Sequence, residues 1–217
     1  MLSGGLADAH AVIGGSKWNP PSSVVYVYGV GGCSGSLIGA HWVLTAKHCV
    51  SEAMSFDTGD GVVHKVDKSH LTPSGGDMAL LHTPDAVSEV YATLANESDP
   101  PPSPSDPDLD NKINGWGGYK FNSDQPRQAF QRVTSKYDGV SVYTAGTGGA
   151  GGGCAVPGDS GGPLSHWYGT EYKVVGVMQG TTYPYGYPPD VTNRYSCTLG
   201  SHAVFPERKW IRDTTGI

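Results

Sequence analysis

The sequence predicts an all-β fold of two successive β-units, with one short helix at the end of the chain. Three observations predict it. Glycine (32) and proline (16) are abundant among the 217 residues and only 16% of them are charged, which favours short strands joined by turns over long helices. The apolar stretches are short, rich in β-branched and aromatic residues, and bounded by Gly, Asp, Ser or Pro. A proline-rich segment then divides the chain near its middle.

In the first half, residues 24–28 (VVYVY), 34–38 (SGSLI), 41–45 (HWVLT), 62–66 (VVHKV) and 78–82 (MALLH) are expected to be strands of one small barrel or sandwich. Residues 99–110 (DPPPSPSDPDLD) cannot form a central strand or a helix, because proline lacks an N–H donor and fixes φ. They are expected to be a stiff, extended connector. Taken as residues 99–111, that connector separates a first unit, 12–98, from a second, 112–217. Strands of the second unit are expected around residues 113–116, 128–133, 140–143 and 173–178. Residues 206–214, with proline near the start and ERKWIR behind it, are expected to be the helix. The glycine-dense run 146–153 leaves two readings open, a flexible linker or backbone that must approach a ligand closely.

Charge and cysteine content exclude several classes of function. The net charge of −6 and isoelectric point near 5.7 leave no basic stripe for phosphates, so nucleic acid is not an expected partner. No apolar run approaches the roughly 20 residues that span a bilayer, and membrane insertion is not expected. Cys33, Cys49, Cys154 and Cys197 form an even set without a C-x-x-C pair, which fits two disulfides better than a zinc site. An oxidising, extracellular location follows, with the protein secreted. The opening MLSGG, residues 1–5, lacks the charged and apolar regions of a secretory signal, and residues 1–11 are expected to be a propeptide or an added start.

Amide hydrolysis by a serine needs a base to take the hydroxyl proton, a carboxylate to orient that base, and backbone donors for the developing oxyanion. Three stretches supply those parts. TAKHC places His48 after a strand and beside a cysteine, DMALL opens a strand with Asp77, and GDSGG places Ser160 on a glycine turn. Singly each is weak, since a lone serine is usually a solvated loop residue and one histidine among eight is more often structural. Asp57, Asp60 and Asp67 compete with Asp77, but they lie in polar, turn-like sequence where a solvated carboxylate is the better reading.

Taken together, LTAKHC, GDMALL and PGDSGGPL resemble the signature blocks of the chymotrypsin-like (trypsin-like) serine protease family, in the order His, Asp, Ser. The resemblance covers nearly the whole chain. VIGG at residues 12–15 resembles the mature amino terminus, CSGSLI the strand before the histidine, NGWGG at 114–118 a turn early in the second barrel, and PERKWI the terminal helix. The spacing in CAVPGDSGG is similar to that of the secreted bacterial branch, such as the streptogrisins.

The resemblance implies two packed six-stranded antiparallel β-barrels with a short C-terminal helix. It implies His48 as general base and then acid, Asp77 as its orienting partner, Ser160 as nucleophile, and the N–H groups of Gly158 and Ser160 as oxyanion donors. It implies disulfides Cys33–Cys49 and Cys154–Cys197, no metal or organic cofactor, and a cut after Ala11 that frees a Val12 ammonium to pair with Asp159. The stretches 152–157, 177–180 and 199–202 should line the substrate pocket, with Cys154, Pro157, Val177, Met178, Gln179 and Gly180 foremost. None of these stretches holds an acidic residue, so an apolar or small side chain is expected ahead of the cleaved bond. Met178 stands where relatives usually carry serine, residues 181–196 are longer than usual, and the aromatic run 183–189 is expected to flank the pocket.

The expected protein is a monomeric serine endopeptidase acting on peptides and proteins, and open to protein inhibitors. Two other classes compete. A protease-fold protein that binds without cutting has no need of all these residues at once. An esterase of the α/β-hydrolase kind would require the order nucleophile, acid, histidine and alternating helices, which this sequence lacks.

Overall fold

The computed structural model describes residues 11–18, 22–87, 89–117, 125–146, 152–186, 189 and 197–217, and short strands joined by turns make up most of them. In chain order the first unit contributes β1 (Ser16–Lys17), β2 (Val24–Tyr28), β3 (Cys33–Gly39), β4 (Trp42–Thr45), β5 (Ser55–Asp57), β6 (Val63–Lys65), β7 (Lys68–Leu71) and β8 (Ala79–His82). The second contributes β9 (Asn111–Gly115), β10 (Arg127–Val133), β11 (Ser141–Gly146), β12 (Pro163–Trp167), β13 (Tyr172–Thr182), β14 (Thr198–Ala203) and the helix α1 (Arg208–Thr215).

Two antiparallel sheets result, as the all-β expectation required. One runs β6-β5-β2-β3-β4-β8-β7, and the other β1-β10-β11-β14-β13-β12-β9 with β9 pairing back onto β10. That last pairing closes six strands into a barrel. The first sheet only curls: its edge strands β6 and β7 are short, largely exposed and bear lysines, a composition that discourages further pairing. β1, which precedes every strand of the first sheet, lies against β10 of the second, so the chain starts on one unit before building the other.

Burial explains the order of strands. β3 is buried along all seven residues and sits inside its sheet, as a strand covered on both faces should. One continuous apolar cluster joins Val25, Leu37, Phe56 and Leu80 of the first unit to Ile113, Leu164, Val177 and Ile211 of the second. The proline-rich stretch forms no strand and only one 3-10 turn, Asp108–Asp110, and is tied to the second unit by Tyr168 Oη donating to Pro100 O (2.8 Å) and by Lys173 with Asp99 (3.0 Å). α1 ends at Gly216, whose φ of 79° puts it in the left-handed region that favours glycine. Cys33–Cys49 and Cys154–Cys197 are both bonded. Residues 1–10, 147–151, 187–188 and 190–196 lie outside the described residues, and with them most of the glycine-dense run and of the long segment before Cys197.

Candidate active site

Strand register brings two of the sequence-predicted residues together. β4 pairs with β8 so that Thr45 faces Ala79, and the chain leaving β4 therefore lies beside the chain entering β8. His48 follows Thr45 in a single 3-10 turn, Lys47–Cys49; Asp77 precedes Ala79. The Asp77 carboxylate holds His48 at two points, with Oδ2 2.6 Å from the ring Nδ1 and Oδ1 accepting the backbone N–H at 2.9 Å. The neighbouring Cys49 is fastened to β3 by its disulfide.

This contact fixes the charges. The Asp77 bond raises the His48 imidazole above its ordinary pKa despite partial burial. Burial pushes the Asp77 carboxyl up, but the bonds from the His48 ring and amide outweigh it and hold the group below the usual carboxylate range.

Ser160 reaches the same place from the second unit. In its turn, Asp159 N–H donates to Val156 O (2.9 Å) and Gly162 N–H to Asp159 O (3.0 Å). Gly158 and Gly161 have φ of 97° and 82°, and a Cβ at Gly161 would stand 2.3 Å from Ser34 O. Ser34, on β3, binds this turn: its N–H donates to Ser160 O (2.8 Å), and its hydroxyl donates to Gly158 O (2.9 Å) and accepts from Trp116 N–H (2.9 Å). The sequence block CSGSLI contained this residue without revealing its role. The N–H groups of Gly158 and Ser160 donate to no acceptor among the described residues, which leaves two neighbouring donors available. Among the same residues no hydrogen bond joins the Ser160 hydroxyl to the His48 ring.

Asp159, between those two donors, points inward and is fully buried. Its Oδ2 accepts the N–H groups of Val12 (3.0 Å) and Val156 (2.9 Å), while Oδ1 has no partner among the described residues. Burial pushes the carboxyl up to about 7, against the pull of the Val156, Val12 and Gly117 amides. Val12 is the one non-glycine residue with positive φ (41°) among those described, an unfavourable conformation for a β-branched side chain.

A pocket of about 250 Å³ opens beside Ser160. Pro157, Met178, Gln179 and Gly180 line it, together with Ala155, Val156 and Leu199 from the predicted stretches. Thr181 and Tyr183 complete the lining, and Tyr183 Oη donates to Ala155 O (2.7 Å). Cys154 and Val177 stand behind this surface, the first in its disulfide and the second in the core. His202 turns the other way, toward Glu207.

The competing carboxylates serve other ends. Asp57 accepts the N–H groups of Gly59 and Gly61, Asp60 that of Val62, and Asp67 pairs with His82 at the opposite end of β8 from Asp77. Asp57 is buried rather than solvated, because it caps the turn it lies in. Among the described residues the close set of metal-binding types is Cys33, His48 and Cys49, and its two sulfurs are bonded to each other, so no thiolate is there to ligate.

The trypsin family model matches residues 12–199. A Corynebacterium glutamicum protein named as a peptidase is 28% identical over 224 residues, covering 97% of this chain and 73% of its own. Chymotrypsin-like elastase family member 1 is 32% identical over 215 residues in Rattus norvegicus and 33% over 218 in Felis catus, each covering 76% of this chain and 77% of its own. With most of its length matched by that family model and its strands arranged as two packed β-units, the chain belongs to the trypsin family of serine peptidases.

Proposed function

We propose that the protein is a secreted endopeptidase that cleaves peptide bonds through an acyl-enzyme. His48 takes the proton of Ser160 as the hydroxyl attacks the substrate carbonyl, then gives it to the leaving amine; water repeats the sequence to release the acid. Asp77 keeps the proton on Nδ1, so that Nε2 is the face that works. The N–H groups of Gly158 and Ser160 receive the oxyanion, each donor contributing about 3 kcal/mol to the transition state. The two-point grip of Asp77 on His48, just past the end of β4, whose Thr45 hydroxyl bonds to O of the same Ser34 that holds the Ser160 turn, carries this reading. The two disulfides support an oxidising compartment.

The pocket supports an apolar or small side chain ahead of the cleaved bond. Its described lining holds no charge, and Met178, Leu199 and Val156 supply apolar walls. Activation by a cut after Ala11 draws support from the site as well: the cut would turn the Val12 amide into an ammonium beside a buried carboxylate and free Val12 from its positive φ.

A fluorophosphonate probe tests the central claim. The active chain should be labelled at Ser160 and the Ser160→Ala variant should not; an unlabelled, correctly cut chain would leave a protease-fold binding protein as the better account.

A further inference from the structure

Beside Gly76, the residue ahead of Asp77, lies a buried polar cluster that the proposed reaction does not use. Glu207 is 3% exposed and His202 2%. Both belong to the second unit, Glu207 at the turn that opens α1 and His202 on β14. Glu207 Oε2 accepts from Thr72 Oγ1 (2.6 Å), and Oε1 accepts from Ser74 Oγ and lies 3.1 Å from His202 Nε2. Thr72 and Ser74 belong to the first unit, on the segment between β7 and Asp77.

That segment is tied to the residue after Asp77 and folded on itself. Thr72 N–H donates to Met78 O (3.0 Å) and Gly76 N–H to Ser74 Oγ (3.2 Å). The residue directly ahead of Asp77 is wedged as well: a Cβ on Gly76 would stand 2.1 Å from Cε1 of the His202 ring. A glutamate that merely joined the two units could bond to any facing loop. This one bonds at both hydroxyls of the short stretch that decides where Asp77 sits.

We propose that Glu207 is a positioning residue for the His48–Asp77 pair, fixing the 72–77 segment from the second unit and with it the carboxylate that orients the base. The proposal rests on the catalytic reading of His48, Asp77 and Ser160. A carboxylate suits the position because its two oxygens accept from the two hydroxyls separately and one of them also faces the His202 ring, whereas an amide offers one accepting oxygen. The titratable groups that act on the cluster are His202, which bonds Glu207 and also bears on Asp77, and Tyr137, whose phenol is pushed up by burial, Asp138 and Glu207; His48 is reached through Asp77. If the segment slackens, Asp77 loses part of its hold on His48. The imidazole then falls back toward its ordinary value, and the acid limb of kcat/KM moves to lower pH.

Full-length Glu207→Ala, Glu207→Gln and Ser74→Ala chains test this. The readouts are kcat and KM on a peptide ester, the pH profile, the melting temperature, and the far-downfield proton resonance of the His48–Asp77 bond. Glu207→Ala should lower kcat by about ten-fold or more with KM little changed, move the acid limb down, and broaden the resonance. Ser74→Ala removes the hydroxyl's bonds to Glu207, to Thr72 Oγ1 and to the Gly76 N–H without stranding a buried charge, and should act in the same direction to a smaller extent, so it decides the matter if Glu207→Ala does not fold. Folded variants with unchanged kcat, acid limb and resonance would reduce Glu207 to a structural strut, whatever their melting temperature. A parent chain with neither activity nor Ser160 labelling would refute the peptidase reading instead, and the resonance would still report on Glu207.

Discussion

Asp159 makes the uncut chain sensitive to pH in a way that a cut chain should not be. Its carboxyl is fully buried, meets Val12 as a neutral amide, and has its pKa raised from 3.8 to about 7. Below about pH 4 the group is protonated in folded and unfolded chains alike. Between 4 and 7 the unfolded chain ionises first, so the folded state holds the extra proton and stability falls as pH rises. Above pH 7 the full difference is lost, and a rise from 3.8 to about 7 corresponds to about 4 kcal/mol. A chain that begins at Val12 presents an ammonium to the same carboxylate, which removes that penalty. It also releases the positive φ of Val12, a strain of about 1–3 kcal/mol.

The assay is urea unfolding at pH 4 and pH 8, on chains beginning at Met1 and at Val12, both carrying Ser160→Ala to prevent self-digestion. The stability gap between them should widen by several kcal/mol from the lower pH to the higher. Asp159→Asn in the uncut chain should abolish its share of the fall. Parallel pH profiles for the two forms, or an Asp159→Asn chain that still loses stability as the parent does, would refute the reasoning.

Three further outcomes are expected. Because Asp77 raises the His48 imidazole, the acid limb of kcat/KM should have its midpoint above about pH 6.5, and a rate flat from pH 5 to 8 would contradict general-base catalysis by His48. Asp77→Asn should lower kcat by about 10⁴-fold, the scale of this change in serine-protease triads, with the melting temperature changed far less, as steady-state kinetics and calorimetry would report. Ser34→Ala loses the buried bonds to Trp116 N–H and to Gly158 O; it should cost about 1–3 kcal/mol in urea unfolding and weaken turnover by loosening the Ser160 turn.

Some of this was legible in the letters. VVYVY and HWVLT announce strands because their β-branched and aromatic residues suit a pleated, buried surface, and both became β2 and β4 with little change of boundary. β12 and β14 gave no such signal. PLSHW and TLGSHA are poor in β-branched residues, and they are strands because β13 and its neighbours offer them backbone partners. The site divides in the same way. His48, Asp77 and Ser160 stand out by residue type beside their characteristic neighbours, whereas Ser34 and Glu207 are an ordinary serine and an ordinary glutamate in sequence.

What the sequence determined by itself was chemistry and punctuation: which side chains can serve as base, acid and nucleophile, and where glycine and proline force the chain to turn. Tertiary structure decided adjacency. The register of β4 against β8 set His48 beside Asp77, Ser34 bound the serine turn across the two units, and Glu207 came to face Thr72 from 135 residues away. Local sequence cannot encode such meetings, because they depend on the burial of an apolar cluster shared by both units, and that burial is a property of the whole fold.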